Sequence, residues 1–292
     1  MAAGQKRVVS KQKRPREEEE EEKSTTFNNP NTIPLGGKKT NDKKNNKKNK
    51  NNKQKQDKND NNPTSVTSLV PSSSLPASEQ LTFFLNRFQS ANGLKLSSLE
   101  LESFKDTCIL ELSQDLDQDA GVLSTHMKDA FGTSWKEELV EGKLLEGTVD
   151  PGNPAILVIS ASAIRSLELL RGLRSLTVDC RAAKLFAKHM KVEDQVSMLK
   201  SRVNIASGTP SRIKKLIDMD ALGLSRLSVI VMDMHTDAKG YSLLTLPQVS
   251  DEFWDLYKSH FHHLMVQGDL RICLYGPISC ASDKKSAVTH DE

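Results

Sequence analysis

From Pro151 onward the sequence alternates between two hydrophobic periods, and this alternation constrains the fold more than any other feature. Residues 155–160 (AILVIS) are a continuous run of strand length, followed at once by IRSLELLRGL, whose apolar residues recur at helical spacing. A strand with no polar face must be covered on both sides, and a parallel connection needs a crossover helix. The unit then repeats: AKLFAKH with VEDQVSMLKSR, VNIAS with SRIKKLIDM, LSVIVMDM with FWDLYKSHFHHLM, and LRICLY to close. Five strands alternating with helices over residues 151–280 predict a doubly wound, mostly parallel α/β sheet.

The preceding residues follow other rules. Ser78 stands as an N-cap before EQLTFFLNRF, where Leu81, Phe84, Leu85 and Phe88 line one helical face and Gly93 stops the helix. Ser97 with Glu100 forms a capping box, opening a second helix expected to run through Leu112. Shorter helical stretches over 123–131 and 134–140 complete an all-helical extension at 79–150. Residues 1–78 lack apolar periodicity: 28–62 are mostly Asn, Lys, Asp and Gln, and 63–77 read as a Ser/Pro linker. That tail and residues 281–292 are expected to be disordered.

Only 36% of the 292 residues are hydrophobic, and the formal net charge of +3 conceals an opposition. Residues 1–78 hold 17 Lys and Arg against 9 Asp and Glu, whereas the other 214 hold 24 against 29. A basic arm on a mildly acidic body points to an arm that seeks polyanions. Within it, Lys6, Arg7, Lys11, Lys13, Arg14 and Arg16 form a compact cluster that reads as a nuclear localisation signal, followed by six glutamates. The Asn-diluted lysines from Lys38 to Lys58 read as an RNA-retaining nucleolar arm; a solvated solubility tag is the alternative. The expected location is the nucleus and nucleolus. Cys108, Cys180, Cys273 and Cys280 form no CxxC pair, which argues against a zinc site or a disulfide framework. The longest apolar stretch, 155–164, falls far short of the ~20 residues of a membrane span, so an intracellular chain with no membrane partner is expected.

In a doubly wound sheet ligands bind at the carboxyl ends of the strands. After AILVIS comes Ser162 with Arg165 one turn into the helix; after VNIAS comes Gly208-Thr209-Pro210-Ser211-Arg212; after LSVIV comes Asp233-Met234-His235. The second is the most specific. Thr209 as N-cap, Pro210 at the first helical position and Arg212 in the first turn give free N–H groups, a positive dipole end and a cation, a geometry that suits a phosphate. A capped helix start with no ligand is the alternative. Ser160 and Ser162 lack a GxSxG turn and read as caps rather than nucleophiles. Met232 and Met234 read as core fillers, and His260, His262 and His263 diverge on a helix without a placed partner, so no metal is expected.

The order of an Arg-bearing helix after a strand, then GTPSR, then a strand ending in Asp resembles the first RecA-like domain of DEAD-box RNA helicases, over residues 151–277. The wider layout of basic and acidic tail, helical extension, GTPSRI and a strand with a lone Asp resembles the CMSS-type family of small-subunit pre-ribosomal proteins, which look like decayed helicase domains. In the helicases the TPGR motif holds the RNA backbone. The resemblance therefore implies RNA contact through Gly208, Thr209, Pro210, Ser211, Arg212 and Arg165, with Asp233 as the remnant of the metal and ATP motif.

The departures are as informative. No P-loop string occurs in residues 79–292, and Gly36-Gly37-Lys38-Lys39-Thr40 lies in the tail without a preceding strand. No GxGxxG follows any strand. Met234 replaces the water-positioning Glu and Thr236 the last Asp, and the sequence closes soon after LRICLYGP, where a second helicase domain would follow. Phosphoryl transfer rests on positioning and electrostatics that these positions no longer supply. The expectation is a non-enzymatic, P-loop-less RecA-like module with no cofactor and no nucleotide. Its expected partners are RNA, chiefly pre-rRNA, and small-subunit pre-ribosomal proteins. The alternatives are a protein-interaction scaffold that contacts RNA only through its tail, or an active ATP-dependent helicase.

Overall fold

A computed structural model describes residues 68–140 and 149–280. The charged tracts of the tail, Lys6 to Arg16 and Lys38 to Lys58 among them, and residues 281–292 lie outside the described residues. In chain order the regular elements are β1 (Ser68–Pro71), α1 (Ala77–Asn92), α2 (Ser98–Glu102), α3 (Leu123–Phe131), β2 (Ile156–Ile159), α4 (Ala163–Gly172), β3 (Ala183–Leu185), α5 (Val192–Leu199), β4 (Ile205–Gly208), α6 (Pro210–Asp218), β5 (Val229–Asp233), α7 (Pro247–Leu256), α8 (His262–Gln267), β6 (Arg271–Tyr275) and β7 (Pro277–Cys280).

The five expected strands form one wholly parallel sheet in the order β3-β4-β2-β5-β6. Its apolar runs are explained by the two cores they serve. Ile156, Val158, Val229, Val231 and Cys273 face one core with Leu169 and Leu170 of α4. Leu157, Ile159, Ile230, Met232, Ile272 and Leu274 face the other, with Ile213 and Leu216 of α6 and Phe253 and Trp254 of α7. Successive residues point to opposite faces, so a strand covered on both must be apolar throughout.

The helical residues before the sheet split between its faces. Leu81, Phe84, Leu85 and Phe88 of α1 enter the core beneath α7, where Phe84 and Phe88 meet Trp254 and Tyr257 at ring-centroid distances of 5.1–5.7 Å. Leu123 and Met127 of α3 enter the opposite core. The capping box at Ser97 and Glu100 forms as expected, with Ser97 N–H donating to Glu100 Oε2 at 2.7 Å. The helix it opens ends at Glu102, not at Leu112. Beyond it, Ile109 serves one core and Leu110 the other, an alternation that a helix cannot supply. Ile109 bridges Ile272 in parallel, and Leu110 N–H donates to Ile272 O at 2.8 Å, extending the sheet past β6.

Three further local readings are corrected. α1 starts at Ala77 behind Pro76, so Ser78 is inside the helix rather than its cap. The expected linker contains β1, which pairs antiparallel with the unforeseen β7, Leu69 opposite Ser279. The last long helix is interrupted by a π-helical turn at Tyr257–Phe261.

Candidate functional site

The crossovers run to both sides of β2. α4 crosses one face to β3, whereas α6 crosses the other on the way from β4 to β5. Such a reversal opens a crevice at the carboxyl ends of the central strands. All three sequence-predicted segments lie at those strand ends.

At β2, Ser162 caps α4, its Oγ accepting from Arg165 N–H at 3.2 Å, as its sequence position implies. The guanidinium of Arg165 then spans to β5. Its Nε donates to Asp233 Oδ2 at 2.8 Å and its Nη2 to Asp233 Oδ1 at 3.1 Å, while Nη1 reaches Glu168 Oε2 at 2.9 Å. His235 Nδ1 lies 2.9 Å from Asp233 Oδ1 and 3.0 Å from Arg165 Nη2. Asp233 is only 2% exposed. Burial works against the charge on Arg165, but hydrogen bonds and charge from Asp233 and Glu168 outweigh it and hold the group above the ordinary arginine value. Arg165 is thus the counter-ion of Asp233, a pairing over 68 positions that no local sequence signal contains.

The neighbouring end of β6 is filled from within. Gln118 Oε1 accepts from Gly276 N–H at 3.0 Å, and its Nε2 donates to Ser72 Oγ at 2.8 Å. Ser72 Oγ also donates to Leu274 O, and Tyr275 Oη donates to Asp119 O at 2.5 Å. Gly276 has φ 121°, and a Cβ there would stand 2.7 Å from His235 Nδ1, so glycine is required where this loop meets the network. Cys273 is wholly buried, which pushes its thiol up to about 12 and leaves it no reactive thiolate.

The end of β4 is built differently. A Cβ on Gly208 would stand 2.0 Å from Leu185 O, so only glycine lets β3 and β4 approach there. Thr209 is extended, its N–H donates to Leu185 O at 3.0 Å, and it occupies the N-cap position without a side-chain cap bond. Pro210 takes the first helical position as expected, and Ser211 is exposed. Arg212 Nη1 donates to Gln195 Oε1 at 2.6 Å and to Met190 O at 3.3 Å. Gln195, fully buried, also donates from Nε2 to Lys184 O at 2.8 Å and Phe186 O at 3.0 Å. The amide thus guards the outer edge of β3 and fixes the arginine together. Both acceptors of Arg212 are neutral, and among the described residues it makes no ion pair.

Sequence reasoning missed Gln195 and Gln118, and named His235 only as part of the segment after β5. Gln195 left a signal, a lone polar residue on the stripe Val192, Val196 and Leu199. Gln118 left none. Met232 and Met234 are buried in the core as expected. His260 bonds Asp218 at 2.8 Å, while His262 lies among Phe88, Phe104 and Tyr257. Among the described residues no three His, Cys, Asp or Glu side chains converge as a metal site, and no helix is long and apolar enough to cross a membrane.

Residues 3–275 match the family model CMS1, described as the U3-containing 90S pre-ribosomal complex subunit. The protein CMSS1 of Xenopus laevis is 34% identical over 185 residues, 62% of this chain and 63% of that protein. CMSS1 of Homo sapiens is 31% identical over 207 residues, 70% of this chain and 69% of its own length, and CMS1 of Chaetomium thermophilum 35% over 157 residues, 50% and 58%. Among solved structures, the yeast DEAD-box splicing factor Prp28 aligns at 14% identity and a TM-score of 0.31, covering 44% of this chain and 31% of that one. Dbp5 of S. cerevisiae aligns at 11% and 0.37, covering 66% and 45%. The family match, which spans nearly the whole sequence, decides the relationship: the chain belongs to the CMS1 family of U3-containing 90S pre-ribosomal complex subunits.

Proposed function

We propose that the protein is a catalytically inactive, helicase-like factor of small ribosomal subunit biogenesis that binds RNA or the pre-ribosome and carries out no phosphoryl transfer. The observation that carries this reading is the state of the crevice. Its one strand-end carboxylate, Asp233, is held by Arg165, and the adjoining strand end is occupied by Gln118, so neither a metal-bound phosphate nor an attacking water has a free partner there. The end of β4 instead offers Arg212 with its charge uncompensated beside the start of α6, suited to a phosphate of the RNA backbone. The basic tail adds sequence-independent affinity; its Lys6 to Arg16 cluster directs the chain to the nucleus, and its Lys38 to Lys58 tract retains it in the nucleolus.

A second reading has its own support. The acidic balance of residues 79–292 favours a protein-interaction platform whose RNA contacts lie in the tail alone. Crosslinking followed by sequencing of the bound RNA, on the full chain and on a chain lacking residues 1–78, separates the two. Crosslinks retained without the tail support the sheet domain as an RNA binder, and their complete loss supports the platform. Inactivity has a simpler test: ATP at millimolar concentration leaves Tm unchanged. A ligand at 100 times its Kd would add about 2.7 kcal/mol, so a nucleotide-dependent rise in Tm overturns the reading.

A further inference from the structure

We infer that Trp135, with Lys128 and Lys136, is a stacking site for single-stranded RNA, distinct from the strand ends and not needed by the function proposed above. Trp135 follows the turn Gly132–Ser134 after α3 and precedes the π-helical turn Lys136–Val140. Its ring is half-buried, packed with Phe131 and Val140 against the core that contains α3 and α4. Lys128 Nζ stands 4.7 Å from the ring centroid and Lys136 Nζ 5.7 Å.

Each ammonium is attracted to the negative face of the indole, but two like charges on one ring repel each other. Among the described residues neither lysine makes an ion pair. The nearby Glu138 is engaged by Arg226 at 3.2 Å. The result is an aromatic surface flanked by two cations that have no ion-pair partner among the described residues, on a body whose overall charge is negative. Single-stranded RNA satisfies both parts. A base covers the indole, and the ammoniums, on flexible four-carbon stems, move from the ring to the adjacent phosphates. A duplex keeps its bases stacked inside and offers no free face. An acidic protein segment would meet the lysines and leave the ring unused.

The site stands on its own residues. Trp135 belongs to the core of α3 and α4, whereas α6, which bears Arg212, packs in the core of the opposite sheet face.

Fluorescence tests the proposal on the full chain. Trp135 and Trp254 are the two tryptophans, and Trp254 is only 3% exposed, so quenching by a solute reports Trp135. At about 200 mM salt, where the tail's electrostatic binding is weakened, a short oligoadenylate should quench the emission. Trp135→Leu should remove the quench and weaken binding roughly tenfold, within the range of one base stacked on an aromatic ring. Replacing Lys128 and Lys136 with Gln should keep the fold and lower the slope of log K against log salt by about 1.4, for two phosphate contacts on single-stranded RNA.

Inorganic polyphosphate and polyglutamate carry charge without bases and should leave the emission unchanged. Oligoadenylate that binds by anisotropy without quenching overturns the stacking site while leaving the proposed function intact. Equal quenching by polyphosphate or polyglutamate makes the patch a plain anion or acidic-protein site and overturns it as well. An absence of any RNA binding by anisotropy removes both proposals.

Discussion

Two neighbouring ends of the same sheet have opposite characters. At β5 and β6 the Asp233 carboxylate has Arg165 and His235 as internal partners, and the Gly276 N–H has Gln118. At β4 the arginine is held just as firmly, with a 2.6 Å bond to a fully buried glutamine, but by neutral acceptors. Holding a cation with a carboxylate cancels its charge; holding it with an amide fixes its position and leaves the charge available. The same residue type therefore closes one strand end and keeps the other open, and the partner decides which.

The largest expected effect comes from opening the closed end. Asp233→Ala removes one partner of a mostly buried, bidentate pair and strands Arg165 without its main counter-ion. The expected cost is about 3 kcal/mol, a fall in Tm of about 9 °C for a unit of this size. Adding Arg165→Leu should recover part of it, because the uncompensated charge is then gone. A single-mutant loss under about 1 kcal/mol would mean that water already solvates the pair and that the crevice is not closed.

A smaller loss should follow at the adjoining strand end. Gln118→Leu keeps the bulk of the side chain but leaves the buried Gly276 N–H without an acceptor and Ser72 Oγ without its donor. Each orphaned buried group costs about 1 to 3 kcal/mol, so a loss of about 2 kcal/mol, near 6 °C in Tm, is expected by thermal melting. If Gln118→Leu melts with the parent, solvent reaches Gly276 and the loop is only resting on the strand end. Nucleotide affinity gained by the variant would show that Gln118 was hiding a competent site.

The contrast between the two ends also marks what the sequence could reveal. The inner strands were legible because each is buried on both faces, which forces an apolar run such as ILVI in β2 or VIVM in β5, whereas the edge strand β3 turns Lys184 to solvent and was carried by its flanking pattern. The stretch from Phe104 to Leu112 was misread as helix because its apolar residues serve two cores at once, a division that exists only after the sheet has formed. The β1–β7 ribbon was invisible for a related reason: Ser-Leu-Val-Pro has strand meaning only opposite Pro277–Cys280, some two hundred residues later. At the site, the Gly-Thr-Pro start of α6 was legible from local chemistry. The two pairings on which the proposed function rests, Arg165 with Asp233 and Arg212 with Gln195, were not, since each joins side chains from different elements.

The smallest expected effect tests the open end, and the choice of substitution matters. Arg212→Ala removes the charge and also leaves the buried Oε1 of Gln195 without a donor, so a loss of about 1 kcal/mol of stability would accompany any change in binding. Arg212→Gln removes the charge while keeping the stem and a polar amide beside Gln195, so less of any change in binding comes from folding. If the arginine meets one backbone phosphate, RNA affinity of the full chain should fall about fivefold, near 1 kcal/mol, while Tm moves by less than about 3 °C. The slope of log K against log salt should also fall by about 0.7, the share of one contact on single-stranded RNA. That slope is the decisive reading, because a purely structural arginine would change stability without changing how many counterions binding releases. A variant with the parent's slope and affinity makes the β4 end a well-held helix start and nothing more, and leaves RNA to the tail.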